Sequence, residues 1–432
     1  MFYSFSRFSK SKFAKYLTYP ELNRLALLTR IFPFKVSEYV MSELIDWKNK
    51  DEDPIYRLTF PTPGMLTSEH WDLLRSAQSS QQEKEIIKKI RRQLNPHPAG
   101  QVDNIPVIGK RIFGGLQHKY KETVLFFPAP GQSCHSYCTY CFRWAQFVNL
   151  DEHKFKSKDV KDLFDYLSYQ KEVTDILFTG GDPLYMRNSQ LFDYLDVLLK
   201  PETRHVSNIR LGTKALTYHP RRFLGSEGDE LMIKFEEIKK AGKHLSIMAH
   251  ISHPVELKTK KAKQAIQRLV QAGIAIRTQA PLIRGVNDSA ETWKRIWEDS
   301  VRLGMIPYYM FVERDTGAQH YFSVPLARAY QIFTEAYAKV SGLSKTVRGP
   351  SMSTKPGKVL IDGITGRGQD KRFIFKFIQA RNSEYINKPF FAKFSSEATW
   401  FDELEIDSPM KEELSNVNGT FDEDTMDIDA VA

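Results

Sequence analysis

Outside one eight-residue window this chain has no cysteine, and that window holds all three it has: Cys134, Cys138 and Cys141, in the run Cys134-His135-Ser136-Tyr137-Cys138-Thr139-Tyr140-Cys141. Pairing two of them would strand the third, which argues against a disulfide framework. No uncharged apolar run approaches the ~20 residues that a membrane-spanning helix needs. The first twenty residues contain no acid and are rich in Ser, Phe and basic side chains, a trait of transit peptides. They run straight into sequence that reads as folded, Pro20 to Val40, so a cytoplasmic protein is expected. No internal repeat shows beyond an alternation of strands and helices.

The chain has 432 residues, 41% of them hydrophobic, enough for one large domain with additions or two to three ordinary ones. The net charge of +10 is unevenly spread. From Asp402 to Ala432 eleven acids face one lysine, a composition that reads as a disordered acidic tail and leaves +20 on the rest. A basic body suits nucleic acid or a cleft for anionic small molecules, and composition does not separate the two. The segment Lys388–Trp400 interleaves aromatics with lysines, a pattern of base-stacking surfaces and, more often, of a chain end packed on a domain.

The cysteine spacing is C-x3-C-x2-C. Three thiolates can hold three irons of a four-iron, four-sulfur cluster and leave the fourth open to a ligand. A structural zinc site closes with four ligands. His135 is adjacent to Cys134 and cannot easily swing round to complete a tetrahedron, so zinc would need a more distant histidine.

From about residue 123 to 313, short apolar runs alternate with amphipathic stretches of helical period. The runs Thr123–Pro130, Ile176–Asp182, Ile209–Lys214, His244–Ile251, Ile274–Pro281 and Ile306–Glu313 read as buried parallel strands. Helices are expected over Ser157–Tyr169, Gln190–Lys200, Leu231–Ala241, Lys260–Ala272 and Ala290–Leu303, the last three closed by Gly242, Gly273 and Gly304. Such units form a parallel α/β sheet, either doubly wound or a barrel left partly open. In both, functional residues gather at the carboxyl ends of the strands. There lie the cysteine loop, Gly180-Gly181-Asp182, Lys214, the pair His250 and His253, Gln279, and Glu313 to Asp315. Residues 1–105 read as mostly helical, 106–330 as the strand–helix body, 331–400 as a C-terminal extension and 401–432 as the tail; a further helix is expected over Arg328–Ser341 and an irregular stretch over 344–400.

The cysteine motif after the first strand of such a body, with Gly180-Gly181-Asp182 after the second, resembles the radical S-adenosylmethionine superfamily. Further blocks resemble the lysine 2,3-aminomutase family over roughly residues 30–345: Phe32–Phe60, Asn95–Gly100, Gln117–Phe127, Thr179–Leu184 and Ile283–Asp288. The resemblance implies a partial parallel (β/α)6 barrel with a helical N-terminal and an irregular C-terminal extension. It implies a 4Fe–4S cluster on Cys134, Cys138 and Cys141, with S-adenosylmethionine and pyridoxal 5′-phosphate as the other cofactors. A 5′-deoxyadenosyl radical would take a hydrogen from carbon 3 of lysine, and the amino group, held as an imine on pyridoxal phosphate, would migrate from carbon 2.

By position, the resemblance gives Gly180, Gly181 and Asp182 to S-adenosylmethionine, Arg143 to the substrate carboxylate and Asp315 to the far amino group. The cofactor lysine falls on Lys358, with Lys355 behind it, and the family's glycine run has shrunk to Gly357. Family arginines that hold the cofactor appear as Lys119, Thr123 and Lys214, and an aspartate is replaced within Ser353–Lys355. His250 and Gln279 are further candidates for cofactor contact. An amino acid substrate and a reductant such as ferredoxin or flavodoxin are the implied partners, and a homo-oligomer is compatible. Two other readings stand beside this one. The first is a radical enzyme without pyridoxal phosphate, acting on another amino acid, a peptide or a protein lysine; the second is a non-catalytic iron–sulfur or zinc protein that binds nucleic acid.

Overall fold

A computed structural model describes residues 1–95, 104–148, 156, 157, 159–314 and 316–407. The expected acidic tail beyond Asp407, most of the Asn95–Gly100 block and Asp315 lie outside the described residues.

Among the described residues the longer α-helices of the N-terminal region are α1 (Tyr19–Leu28), α2 (Pro54–Thr59), α3 (Ser68–Arg75) and α4 (Ser80–Gln93). Thr18 and Glu21 form a reciprocal capping box on α1, and Asp53 caps α2 through the Tyr56 N–H at 2.6 Å. These caps satisfy helix-end donors that would otherwise lack partners. The region has its own core, in which Phe8, Leu28, Phe32, Ile55 and Phe60 pack with Tyr140 and Trp144 of the cysteine segment. N-terminal packing and the shape of the cysteine loop are therefore one construction.

The body is a single eleven-stranded sheet in which every strand pairs with its neighbour in sequence. Its strands are β1 (Leu116–Tyr120), β2 (Thr123–Phe126), β3 (Asp175–Phe178), β4 (Asn208–Thr213), β5 (His244–His250), β6 (Ala275–Leu282), β7 (Ile306–Val312) and β8 (Arg348–Ser353). They are followed by β9 (Gly357–Thr365), β10 (Arg372–Ala380) and β11 (Pro389–Lys393). Pairing is parallel from β2 through β8 and antiparallel at both flanks.

The strand order never reverses, so the doubly wound alternative is excluded, since that architecture turns back at a switch point. No closed barrel forms among the described residues, because β1 and β11 are both edges. The crossover helices α5 (Val160–Tyr169), α6 (Asn188–Val197), α7 (Gly225–Lys240), α8 (Lys260–Gln271), α9 (Ala290–Arg302) and α10 (Leu326–Ala338) share one core with one side of the strands. That core contains Val124, Phe126, Ile176, Phe178, Ile209, Leu211, Ile247 and Ile276. The alternate strand residues face the other way.

The expectation of an irregular stretch over 344–400 is corrected. β8 adds a seventh parallel strand, and β9 to β11 continue the sheet. The physical reason is a period-two pattern in Arg-Phe-Ile-Phe-Lys-Phe over 372–377 that puts Phe373, Phe375 and Phe377 on one face. There they bury against Phe390, Trp400 and Phe401. The lysine–aromatic segment 388–400 thus turns most of its rings inward; Phe391 remains 42% exposed. If this sheet extension is a packed layer, Phe375→Ala costs about 3–5 kcal/mol of stability, read as a lower midpoint in chemical denaturation; a surface-like loss below about 0.5 kcal/mol would contradict it.

Candidate active site

The cysteine loop leaves β2 at its carboxyl end and is fastened from two directions. On the N-terminal side, the Tyr137 N–H donates to the Lys35 carbonyl at 2.8 Å and the Thr139 N–H to the Leu58 carbonyl at 2.9 Å. The Thr139 hydroxyl donates to the Arg57 carbonyl at 2.7 Å, and the Ser37 N–H to Ser136 Oγ at 2.9 Å. On the other side, Gly180 and Gly181 press against the start of the loop. A Cβ on Gly180 would lie 2.0 Å from Gln132 Nε2, and one on Gly181 2.4 Å from the Ser133 nitrogen. Gly180 also sits at φ +125°, a conformation natural to glycine.

The three cysteines are unbridged and partly exposed at the residue level. Burial of the thiols pushes all three up, Cys141 to about 12, so metal binding must displace protons. Among the described residues no three His, Cys, Asp or Glu side chains converge tightly enough to hold a single ion. A lone zinc therefore lacks a ready ligand set. A cuboidal cluster takes one thiolate at each of three iron corners, which suits three separated sulfurs on one loop. His135 is occupied elsewhere: its ring stacks on His219 at 4.5 Å, and burial holds it neutral.

Asp182 is buried and binds the strand ends together. Its carboxylate accepts from Thr213 Oγ1 at 2.7 Å, the Leu184 N–H at 2.9 Å and the Lys214 N–H at 3.0 Å, while its own N–H donates to the Gly131 carbonyl. Burial nevertheless pushes its pKa up to about 6. Lys214 stands at the end of β4, but its charge is committed to the fully buried Glu256 at 2.9 Å, which leaves it little to offer a phosphate. Glu256 also accepts from Thr217 Oγ1 at 2.6 Å and the Ser252 N–H at 2.9 Å. His250 Nε2 and Ser252 Oγ both lie 2.9 Å from the Tyr140 hydroxyl, so β5 is tied to the cysteine loop; burial keeps His250 neutral. Gln279 lies beside His250 on β6, and its carbonyl accepts from the Ile251 N–H at 3.1 Å.

Arg143 is 3% exposed, and its Nε and Nη2 have no hydrogen-bond partner. The guanidinium lies 4.1 Å over the Phe127 ring, and burial lowers it only to about 10, so it stays charged. A buried cation with open donors calls for an anion. Lys358 is brought into the sheet by β9, opposite Ser353 on β8. Its ammonium lies 4.2 Å over the Tyr309 ring, and burial plus the nearby Arg210, Arg348 and Lys119 cations lower it to about 7. An amine that is about half free base near neutrality, among cations, fits a group bearing both an aldehyde and a phosphate. Lys355 is exposed at the hairpin turn.

Sequence reasoning missed Glu256 and the fastening role of Tyr140. Glu256 carries little local signal, because its charge partner Lys214 and the Thr217 hydroxyl come from just past the end of β4, 42 and 39 residues away.

Comparison with known proteins gives three findings. Residues 129–295 match the model of the Radical SAM superfamily. A protein of Aquifex aeolicus, provisionally named L-lysine 2,3-aminomutase, is 32% identical over 409 residues, which is 94% of this chain and 97% of that one. The L-lysine 2,3-aminomutase of Methanococcus maripaludis is 26% identical over 73% of this chain and 63% of its own, and the glutamate 2,3-aminomutase of Clostridioides difficile 28% over 49% and 47%.

Gly181→Ala is expected to push the cysteine loop out of register and lower iron and sulfide retained per chain after anaerobic reconstitution; wild-type retention would contradict the close approach. For Lys358, reductive methylation followed by NMR pH titration should give a resonance with midpoint near 7, against about 10.4 for ordinary lysines. The group is ammonium below that midpoint and free amine above it. The resonance should vanish in Lys358→Arg, and a midpoint above 9 would refute the environment described.

Proposed function

We propose, for a chain that belongs to the lysine 2,3-aminomutase family of the radical S-adenosylmethionine superfamily, that it moves the 2-amino group of L-lysine or a related amino acid to carbon 3. The observation that carries this reading is Arg143, a buried guanidinium with two unsatisfied nitrogens two residues beyond the last cysteine.

Cys134, Cys138 and Cys141 would hold the cluster and leave one iron for S-adenosylmethionine. The backbone of Gly180 and Gly181 would border its methionine end, where the buried Gln132 Oε1 also lacks a partner. When bound, the cluster supplies the electron that splits S-adenosylmethionine, and pyridoxal phosphate supplies an aldehyde that takes up an amine. Arg143 orients the substrate through its carboxylate, with a planar fork that a lysine cannot reproduce. Lys358 offers the amine that holds pyridoxal phosphate, while Lys119 and Arg348 offer its phosphate counter-charge; Arg210 is already paired with Asp175 at 2.7 Å. Tyr309 and Phe311 flank Lys358 with ring faces at 4.2 and 5.4 Å and keep water from it. Lys358 on β9 senses Arg210 on β4 and Lys119 on β1, which supports reading the sheet as a partial barrel with its open side spanned by the C-terminal strands.

The Lys214–Glu256 pair favours a second reading, radical chemistry without pyridoxal phosphate, because it removes one expected phosphate partner. An absorbance band from cofactor added to wild type, fixed by borohydride and lost in Lys358→Ala, supports the first reading; no band supports the second.

The direct test is anaerobic incubation of reconstituted protein with S-adenosylmethionine, a reductant and single amino acids, lysine first. 5′-Deoxyadenosine and a β-amino acid are the expected products. Arg143→Met should raise KM by about one to two orders of magnitude, the loss of hydrogen bonds to a charged group. Deoxyadenosine without any β-amino acid would refute the aminomutase reaction.

A further inference from the structure

We infer that Lys35 raises the reduction potential of the cluster held by Cys134, Cys138 and Cys141, an inference that rests on reading those cysteines as cluster ligands. The Lys35 ammonium donates to Ser133 Oγ at 2.6 Å, one residue before Cys134, and lies 3.5 Å from the Tyr185 hydroxyl. Three ring faces surround it: Tyr185 at 4.5 Å, Tyr137 at 5.1 Å and Phe2 at 5.9 Å. Among the described residues no carboxylate lies within ion-pair distance of it. All its partners are neutral, so its charge is left uncompensated beside the loop.

The other cations near the cysteines differ in this respect. Lys214 is neutralised by Glu256. Arg143 would be neutralised by the substrate carboxylate. Of the three, only Lys35 is given no carboxylate partner by the fold or by the proposed substrate, among the described residues. The field of its ammonium already reaches the Cys134 sulfur, where it opposes the upward push of burial on that thiol. Aromatic walls displace water and preserve such a field at short range.

Reduction adds one electron from an external one-electron donor to the cluster, and no bond to the protein forms or breaks. The product is more negative by one charge. A fixed positive charge nearby stabilises it more than the oxidised form, so the midpoint rises; net charge is one of the protein's levers on cluster potential. Lys35 is a positioning residue in this sense and touches no reacting atom. Its backbone carbonyl fastens Tyr137 at 2.8 Å, which no side-chain substitution removes.

The test is an EPR-monitored potentiometric titration of reconstituted full-length protein without S-adenosylmethionine, beside Lys35→Met, Lys35→Gln and Lys35→Arg. The two neutral variants should hold about tenfold less reduced cluster at a fixed potential, equivalent to about 59 mV for a one-electron couple. Lys35→Arg should stay near wild type. Unchanged midpoints in the neutral variants would overturn the inference. So would neutral variants that take up no cluster, since Lys35 would then be building the loop. Wild-type protein that takes up no iron and sulfide would overturn the cluster reading first and this inference with it.

Discussion

Everything at this site depends on a loop that cannot hold its own shape. Just after β2 the chain carries three cysteines, none of them within a helix or strand. Its order is borrowed. Main-chain carbonyls of Lys35, Arg57 and Leu58 hold one side, and the side-chain-free edge of Gly180-Gly181 supports the other. Remove either support and three thiols remain, but not a cradle. The N-terminal region is therefore part of the site, although it contributes no ligand.

A second theme is the separation of charge by role. Lys214 and Glu256 form a buried pair whose charges cancel, and such pairs fix geometry more surely than they add stability. Arg143 and Lys358 are buried cations without a carboxylate partner among the described residues, one still charged and one poised near neutrality. Buried cations left open carry a desolvation cost, and that cost is recovered only when an anion or a carbonyl compound arrives. His250 at the end of β5 and Tyr140 on the cysteine loop are held neutral by burial and act as fasteners.

Much of the body was legible from periodicity. The six parallel strands fall within a few residues of their apolar runs, and Gly242, Gly273 and Gly304 adopt positive φ where helix ends were expected. The C-terminal strands were not read: the alternation of Phe373, Phe375 and Phe377 was there, but lysines and glycines around it masked the pattern. The choice between a doubly wound and a sequential sheet was not legible, since both give the same strand–helix alternation. At the site, the cysteines, Arg143 and Lys358 could be named from motif and position. Glu256, Tyr140 and Lys35 could not be given roles, because each acts through partners far away in the chain.

The amino-acid order alone determined the chemistry available: three thiols at fixed spacing, two glycines at a strand end and a lysine beyond a shortened glycine run. Those are local facts, set by covalent neighbours. Tertiary structure decided which charges are open and which are cancelled, because pairing depends on distances that only packing creates. Lys214 and Lys358 are the same side chain with the same intrinsic basicity. One meets a carboxylate and the other meets cations and aromatic rings, and that difference in surroundings gives them different work.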